Sequence, residues 1–152
     1  LSDEQFVTLF LGELDLKSGK MTYINAGHEP PLVVHQDGSM HQIESTTMPF
    51  AMIEEIPLEI SEMTLLPGDT MAIFSDGIPE ATTTGDKFLG LAGVKEALVS
   101  HRQDPLPEIR NRIVTMVEQF LAGGPASDDL TLVMLRRLSN QPPRTAPITS
   151  IP

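Results

Sequence analysis

The chain has 152 residues, enough for one domain with a sizeable core, and a formal net charge of -11, which argues against nucleic acid or an anionic membrane surface as the main partner. It has no cysteine, which excludes disulfides and thiolate chemistry and fits a reducing compartment. No apolar run approaches the ~20 residues needed to span a bilayer, and the first residues are acidic and polar rather than basic then apolar, so no membrane insertion or signal peptide is expected and the cytoplasm is the expected location.

No methionine precedes Leu1, and a strand-like pattern is already under way at Phe6, so a piece of a longer protein is expected. Phe6 to Asp15 is apolar on both alternating faces, which predicts a central strand. A polar turn at Lys17-Ser18-Gly19-Lys20 joins it to a second strand, Met21 to Ala26, as a hairpin. Gly27-His28-Glu29-Pro30-Pro31 breaks the pattern. Leu32 to His35 and Met40 to Ile43 form another hairpin around Gln36-Asp37-Gly38-Ser39. Ser45 to Ile56 has no period and contains Pro49, so it reads as a loop partly packed by Met48, Phe50 and Met52. Leu58 to Leu65 alternates as a half-buried strand that Pro67 ends.

Pro67-Gly68-Asp69 is a turn feeding Thr70 to Phe74, a run with no polar alternation and therefore a strand buried on both faces. Ser75-Asp76-Gly77 follows it. Thr82 to Asp86 reads as a surface loop. Leu91, Val94, Ala97 and Leu98 keep helical spacing over a short helix. Asp104-Pro105 reads as a helix start, Asp capping free amides and Pro tolerated in the first turn. Leu106, Ile109, Ile113, Val117, Phe120 and Leu121 then mark the strongest helix of the chain, stopped by Gly123-Gly124-Pro125. Leu130 to Leu135 is the last strand. The Pro, Ser and Thr of residues 138–152 predict a disordered tail. Strands first and helices after them predict an α+β layered fold rather than alternating βαβ units.

A carboxylate at the end of a buried strand must be solvated, hydrogen-bonded or bound to a cation. Asp76 stands at such an end, beside a glycine that lets the backbone turn sharply. Asp128 and Asp129 stand where the last strand begins. If the two strands are antiparallel neighbours, these carboxylates converge at one rim of the sheet, and carboxylates with water are the ligand set of hard cations such as Mg²⁺ or Mn²⁺.

Four motifs in order carry a family resemblance: Tyr23-Ile-Asn-Ala-Gly-His-Glu-Pro-Pro-Leu32, Pro67-Gly-Asp69, Phe74-Ser-Asp-Gly-Ile-Pro-Glu-Ala81 and Ser127-Asp-Asp-Leu-Thr-Leu132. Together they resemble the bacterial metal-dependent protein phosphatases of the SpoIIE and RsbU type, a branch of the protein phosphatase 2C-like superfamily. The resemblance implies an antiparallel β-sandwich flanked by helices, with residues 1–137 as the C-terminal portion of the domain and its N-terminal portion missing. It implies two Mn²⁺ or Mg²⁺ ions at one end of the sandwich, with Asp76, Gly77, Asp128 and Asp129 at the metals and Asp76 and Asp128 as the catalytic pair. The implied reaction is hydrolysis of phosphoserine or phosphothreonine on a regulatory protein, such as an anti-anti-sigma factor, by a metal-activated water with no covalent intermediate. Asp129 replaces an asparagine of the eukaryotic branch. His28 stands where that branch carries an aspartate, so no metal role is assigned to it.

The family's first metal-ligand motif, a Gly-Asp pair on an early strand, has no match here. The chain alone is therefore expected to be a weak or inactive phosphatase, and uncovered sheet surface is expected to favour pairing between chains. A non-catalytic regulatory or docking module on the same fold, and a plain metal-binding β domain, are the competing readings. Asp-Gly is also a common turn pair, His28 reads as a loop histidine, Glu80 as a structural residue, and the Ile109, Ile113, Val117, Phe120 stripe as core. Lys20, Arg110, Arg112, Arg136 and Arg137 are too scattered along the chain to read as a phosphate clamp.

Overall fold

A computed structural model describes residues 6–52, 57–82, 87–121 and 128–138. Its elements are β1 (Leu9–Leu14), β2 (Lys20–Ala26), β3 (Leu32–Val34), β4 (Met40–Gln42), β5 (Ser61–Thr64), β6 (Thr70–Phe74), α1 (Ala92–Ser100), α2 (Leu106–Leu121) and β7 (Leu132–Arg136). The strands form two antiparallel sheets, one of order β1-β2-β5 and one of order β4-β3-β6-β7. The α+β layered fold expected from the chain order, and the antiparallel sandwich that the resemblance implies, are therefore what forms.

Two apolar layers hold it together. Met21, Val33, Ile43, Leu65 and Met71 are buried between the sheets. Leu32, Val34, Ala72 and Phe74 point the other way, against Val94 and Leu98 of α1 and Ile109, Ile113 and Val117 of α2. This explains why β3 and β6 show no polar alternation. Each side chain of these strands meets apolar cover, from the facing sheet on one side and from the helices on the other.

Both hairpins form as expected. In the first turn one Asp15 carboxylate oxygen, Oδ1, accepts hydrogen bonds from the Lys17 and Ser18 amides. Several expectations need correction. β1 is an edge strand of its three-stranded sheet among the described residues, with Leu9 and Leu11 exposed; its apolar alternation signals two faces to cover, and the described elements cover only one. The strand expected from Leu58 to Leu65 is confined to Ser61–Thr64, because Leu58 and Ile60 have no partner layer and stay exposed. Met48 and Met52 are likewise exposed rather than packed, whereas Phe50 is half-buried and bridges to Val7. Asp104 does not cap α2; its Oδ2 faces His101 Nδ1 at 3.0 Å instead. The loop expected at Thr82 to Asp86, the stop at Gly123-Gly124-Pro125 and the tail fall mostly or wholly outside the described residues.

Candidate functional site

β6 and β7 run antiparallel, with Phe74 opposite Leu132. The end of one is thus beside the start of the other, and the segment carrying Asp76 lies against the segment carrying Asp128 and Asp129. Ser75 fastens them. Its backbone N–H donates to the Thr131 carbonyl at 3.1 Å, its Oγ–H donates to the Asp129 carbonyl at 2.8 Å, and the same Oγ accepts the Thr131 N–H at 3.0 Å. This clamp was invisible in the sequence, where Ser75 is only the neighbour of an acid.

Gly77 is needed for a different reason from the one expected. It is not among the glycines with positive φ. A Cβ there would lie 2.5 Å from the Asp129 carbonyl oxygen, a separation only a glycine avoids. Gly77 is therefore buried under the second acidic segment, and its missing side chain lets the two segments meet. The following turn is closed by the Ile78 N–H to the Ser75 carbonyl and the Glu80 N–H to the Asp76 carbonyl. The Asp76 side chain stays exposed, as do Asp128 and Asp129. The Asp129 N–H donates to Asp128 Oδ1 at 2.7 Å, so Asp129 orients the Asp128 carboxylate through its backbone.

The β2–β3 connection reaches the same rim, because β3 runs antiparallel to β6. Asn25 anchors it. This fully buried residue donates from Nδ2 to the Ile43 carbonyl and accepts the His28 N–H on Oδ1. His28 is thus placed through its backbone, in line with its reading as a loop residue. Next to it, Glu29 has its carboxyl pushed above the ordinary range, by burial first and then by the charges of Asp76 and Glu80. Glu29 belongs to the acidic rim and was missed as a site residue. The signal available for it was its place in the Gly-His-Glu-Pro-Pro run at the end of β2.

Exposed carboxylates converging from separate segments fit Mg²⁺ or Mn²⁺ in donor type. They fall short in number: among the described residues no three His, Asp or Glu side chains stand close enough to hold one ion together. The structure brings Asp76, Asp128 and the Asp129 segment together at one rim, and the described residues there do not by themselves complete a cation site.

Comparison with known proteins agrees with the fold. The family model of stage II sporulation protein E matches residues 1–138. Protein IcfG of Synechocystis is 27% identical over 135 residues, covering 87% of this chain and 21% of that protein. Phosphoserine phosphatase RsbU of Bacillus subtilis is 26% identical over 133 residues, covering 87% of this chain and 39% of RsbU. The solved phosphatase domain of SpoIIE from Bacillus subtilis, presoaked with Mn, superposes with a TM-score of 0.67 at 22% identity, covering 89% of this chain and 58% of that domain. The chain thus spans well under half the length of these two curated relatives.

Proposed function

The chain belongs to the SpoIIE family, and from that premise we propose that it is part of a metal-dependent protein phosphatase acting on phosphoserine or phosphothreonine of a regulatory protein, of the anti-anti-sigma type. The observation that carries the reading is the meeting of the Asp76-Gly77 turn with the Asp128-Asp129 segment at one rim, clamped by Ser75. Both segments belong to the motifs that resemble the family.

In this reading Asp76 and Asp128 are the cation ligands, Asp129 fixes the Asp128 carboxylate, and Gly77 keeps the two segments in contact. A pair of Mn²⁺ or Mg²⁺ ions, when bound, supplies an activated water and charge neutralisation for the phosphoryl oxygens. The rim's own contribution is a set of exposed oxygens on turns held by hydrogen bonds, so that a cation meets donors already in place. The shortfall in donors supports weak turnover by the 152-residue chain on its own, the remaining ligands lying outside the described residues.

The test is Mn²⁺-dependent phosphate release from a phosphoserine peptide by the natural protein that carries these residues. Asp76→Asn and Asp128→Asn are each expected to lower turnover by on the order of a hundredfold. Full activity in both variants would mean the rim is a docking surface and not a catalytic one. Robust turnover by the 152-residue chain, abolished by Asp76→Asn, would overturn its incompleteness while keeping the phosphatase reading. The exposed Leu9 and Leu11 on edge strand β1 further support pairing of two copies through that edge, and a monomer by sedimentation would remove that part of the proposal.

A further inference from the structure

The opposite end of the sandwich gathers charge of the other sign. In a chain of net charge -11, Arg102, Arg136 and Arg137 line one cavity of about 230 Å³, together with Gln36 and Gly68. Arg136 and Arg137 are two of the five cations whose spacing along the chain suggests no phosphate clamp, and Arg102 is not one of those five. The fold corrects this, because α1 ends and β7 ends at the same rim, where Arg136 pairs with Thr70 at the start of β6.

Each guanidinium is held in place by uncharged acceptors. Arg102 donates to the Gln36 and Val99 carbonyls. Arg136 donates to Thr70 Oγ1 at 2.7 Å and to the Asp104 carbonyl at 2.8 Å. Arg137 donates to the Leu65 and Lys17 carbonyls and lies over Gly19, where a Cβ would collide with its Nη1. A guanidinium has five N–H donors, so each keeps donors to spare. One of them is conspicuous: Arg136 Nη2 is buried and has no hydrogen-bond partner among the described residues, an arrangement that is costly for a charged group.

No carboxylate ion-pairs with these three arginines among the described residues, although acids are close by. Asp104 Oδ2 is engaged by His101 and faces Arg112 at 3.8 Å. Asp15 Oδ1 takes the Lys17 and Ser18 amides. Asp37 Oδ1 takes the Ser39 amide and hydroxyl. The guanidiniums are thus anchored on carbonyls, while Asp15, Asp37 and Asp104 act on Arg137, Arg102 and Arg136 only through their charges and without a direct ion pair. Adjoining it is a second cavity of about 550 Å³, which shares Arg136 and Arg137 and is walled by Leu14, Leu65 and Leu135.

We propose that the cavity between Arg102, Arg136 and Arg137 is a binding site for a phosphate group, either free or carried on an apolar tail that enters the leucine-walled cavity. Planar guanidinium forks are suited to an anion with several acceptor oxygens, and the N–H donors of the three arginines that the carbonyls leave unused are the ones such an anion would meet. The site lies at the far end of β6 from Asp76, so it stands or falls separately from the metal-centre reading.

The experiment is a titration of the isotope-labelled 152-residue chain by nuclear magnetic resonance, in chelator and at constant ionic strength, with inorganic phosphate and with octyl phosphate. Saturable shifts are expected at the amides of Gly38, Gly68 and Leu138 and at the arginine Nε–H groups, with half-saturation of roughly millimolar. Tighter binding of octyl phosphate supports the site with a carried phosphate, and equal binding supports it with the free anion. Arg136→Lys keeps the charge but removes the guanidinium fork, and is expected to weaken binding about tenfold. Arg102→Gln is the second variant, should Arg136→Lys fail to fold. The proposal is overturned if neither probe gives saturable shifts, if the shifts fall at Gly77 and Asp129 instead, or if a folded variant binds as tightly as the parent chain.

Discussion

The two ends of the β6–β7 pair hold charge in opposite ways. At the Phe74–Leu132 end, Asp76, Asp128, Asp129 and Glu80 are exposed, and Glu29 feels the like charges of Asp76 and Glu80. At the Thr70–Arg136 end, arginines are tied down by carbonyl oxygens. Carboxylates that repel one another are stabilised by a cation, whereas guanidiniums fixed on neutral acceptors keep their charge for a ligand. One antiparallel register produces both ends, because it sets the strand start that bears acids beside the strand end that bears an acid, and the reverse at the other rim.

Each end also depends on a glycine, and the largest expected effects test whether the two dependences differ. Gly19 has φ +75 and sits beneath Arg137 and the Leu65 carbonyl. Gly19→Ala meets both backbone strain and a collision, and is expected to cost roughly 2–4 kcal/mol in urea unfolding. Gly77 has only the collision, with the Asp129 carbonyl, so Gly77→Ala is expected to cost about 1–3 kcal/mol. A larger loss for Gly77→Ala than for Gly19→Ala would break the comparison.

Next in size is Asp69, of the Pro67-Gly-Asp69 motif. It lies at the arginine end, 1% exposed. Its Oδ2 accepts the Leu66 N–H at 2.8 Å and faces His35 Nδ1 at 2.9 Å. It is thus a structural acid, set apart from Asp76 by burial and by fixed donors. Asp69→Asn is expected to cost about 1–2 kcal/mol with an unchanged denaturant slope, and to leave Mn²⁺-dependent turnover of the natural protein intact. Loss of turnover at full stability would mean that the arginine end communicates with the metal end.

The acidic end was far more legible in the sequence than the arginine end. Asp76, Gly77, Asp128 and Asp129 sit next to strand boundaries, and strand boundaries can be read from apolar runs such as Thr70 to Phe74. Their meeting needed only the guess that two buried strands are antiparallel neighbours. Arg102, Arg136 and Arg137 share no motif and come from a helix end and a strand end, so nothing local marks them. Their convergence depends on the packing of α1 and α2 against the second sheet. β1 was misread for the reverse reason: its apolar residues report which faces need cover, and not which faces the described elements cover. Asp104 is not the cap because the first turn of α2 closes on the Pro105 carbonyl, which accepts the Glu108 and Ile109 amides, one residue beyond the expected start.

The pH response separates the ends by sign. Glu29 has a folded pKa above its ordinary value of 4.5, so its contribution to stability is fully present below that value and is lost as pH rises through the folded pKa. Glu29→Gln is therefore expected to raise the melting temperature at neutral pH in metal-free buffer. His41, whose Nδ1 lies 3.1 Å from His35 Nε2, is held below its ordinary value of 6.5 by burial and then by His35, with Asp69 opposing. Its contribution is full above that value and is lost as pH falls below it. His41→Gln is expected to flatten the decline of stability as pH falls below about 6.5, the ordinary imidazole value. If both variants flatten the same limb, the ends do not differ electrostatically.

The smallest effect belongs to Lys20. It lies one residue from Gly19, near the arginines in sequence, yet it pairs with Glu62 at 2.8 Å with both side chains more than half exposed. A solvated ion pair contributes little, because water and salt screen it and two long side chains must be ordered to form it. Lys20→Ala is expected to change stability by no more than about 0.5 kcal/mol and to leave phosphate binding unchanged, in contrast to Arg136→Lys, which preserves the charge. That contrast isolates what matters at this end. If net charge alone attracts the anion, removing Lys20 should weaken binding more than the charge-preserving change at Arg136. If binding requires the guanidinium fork, the order reverses.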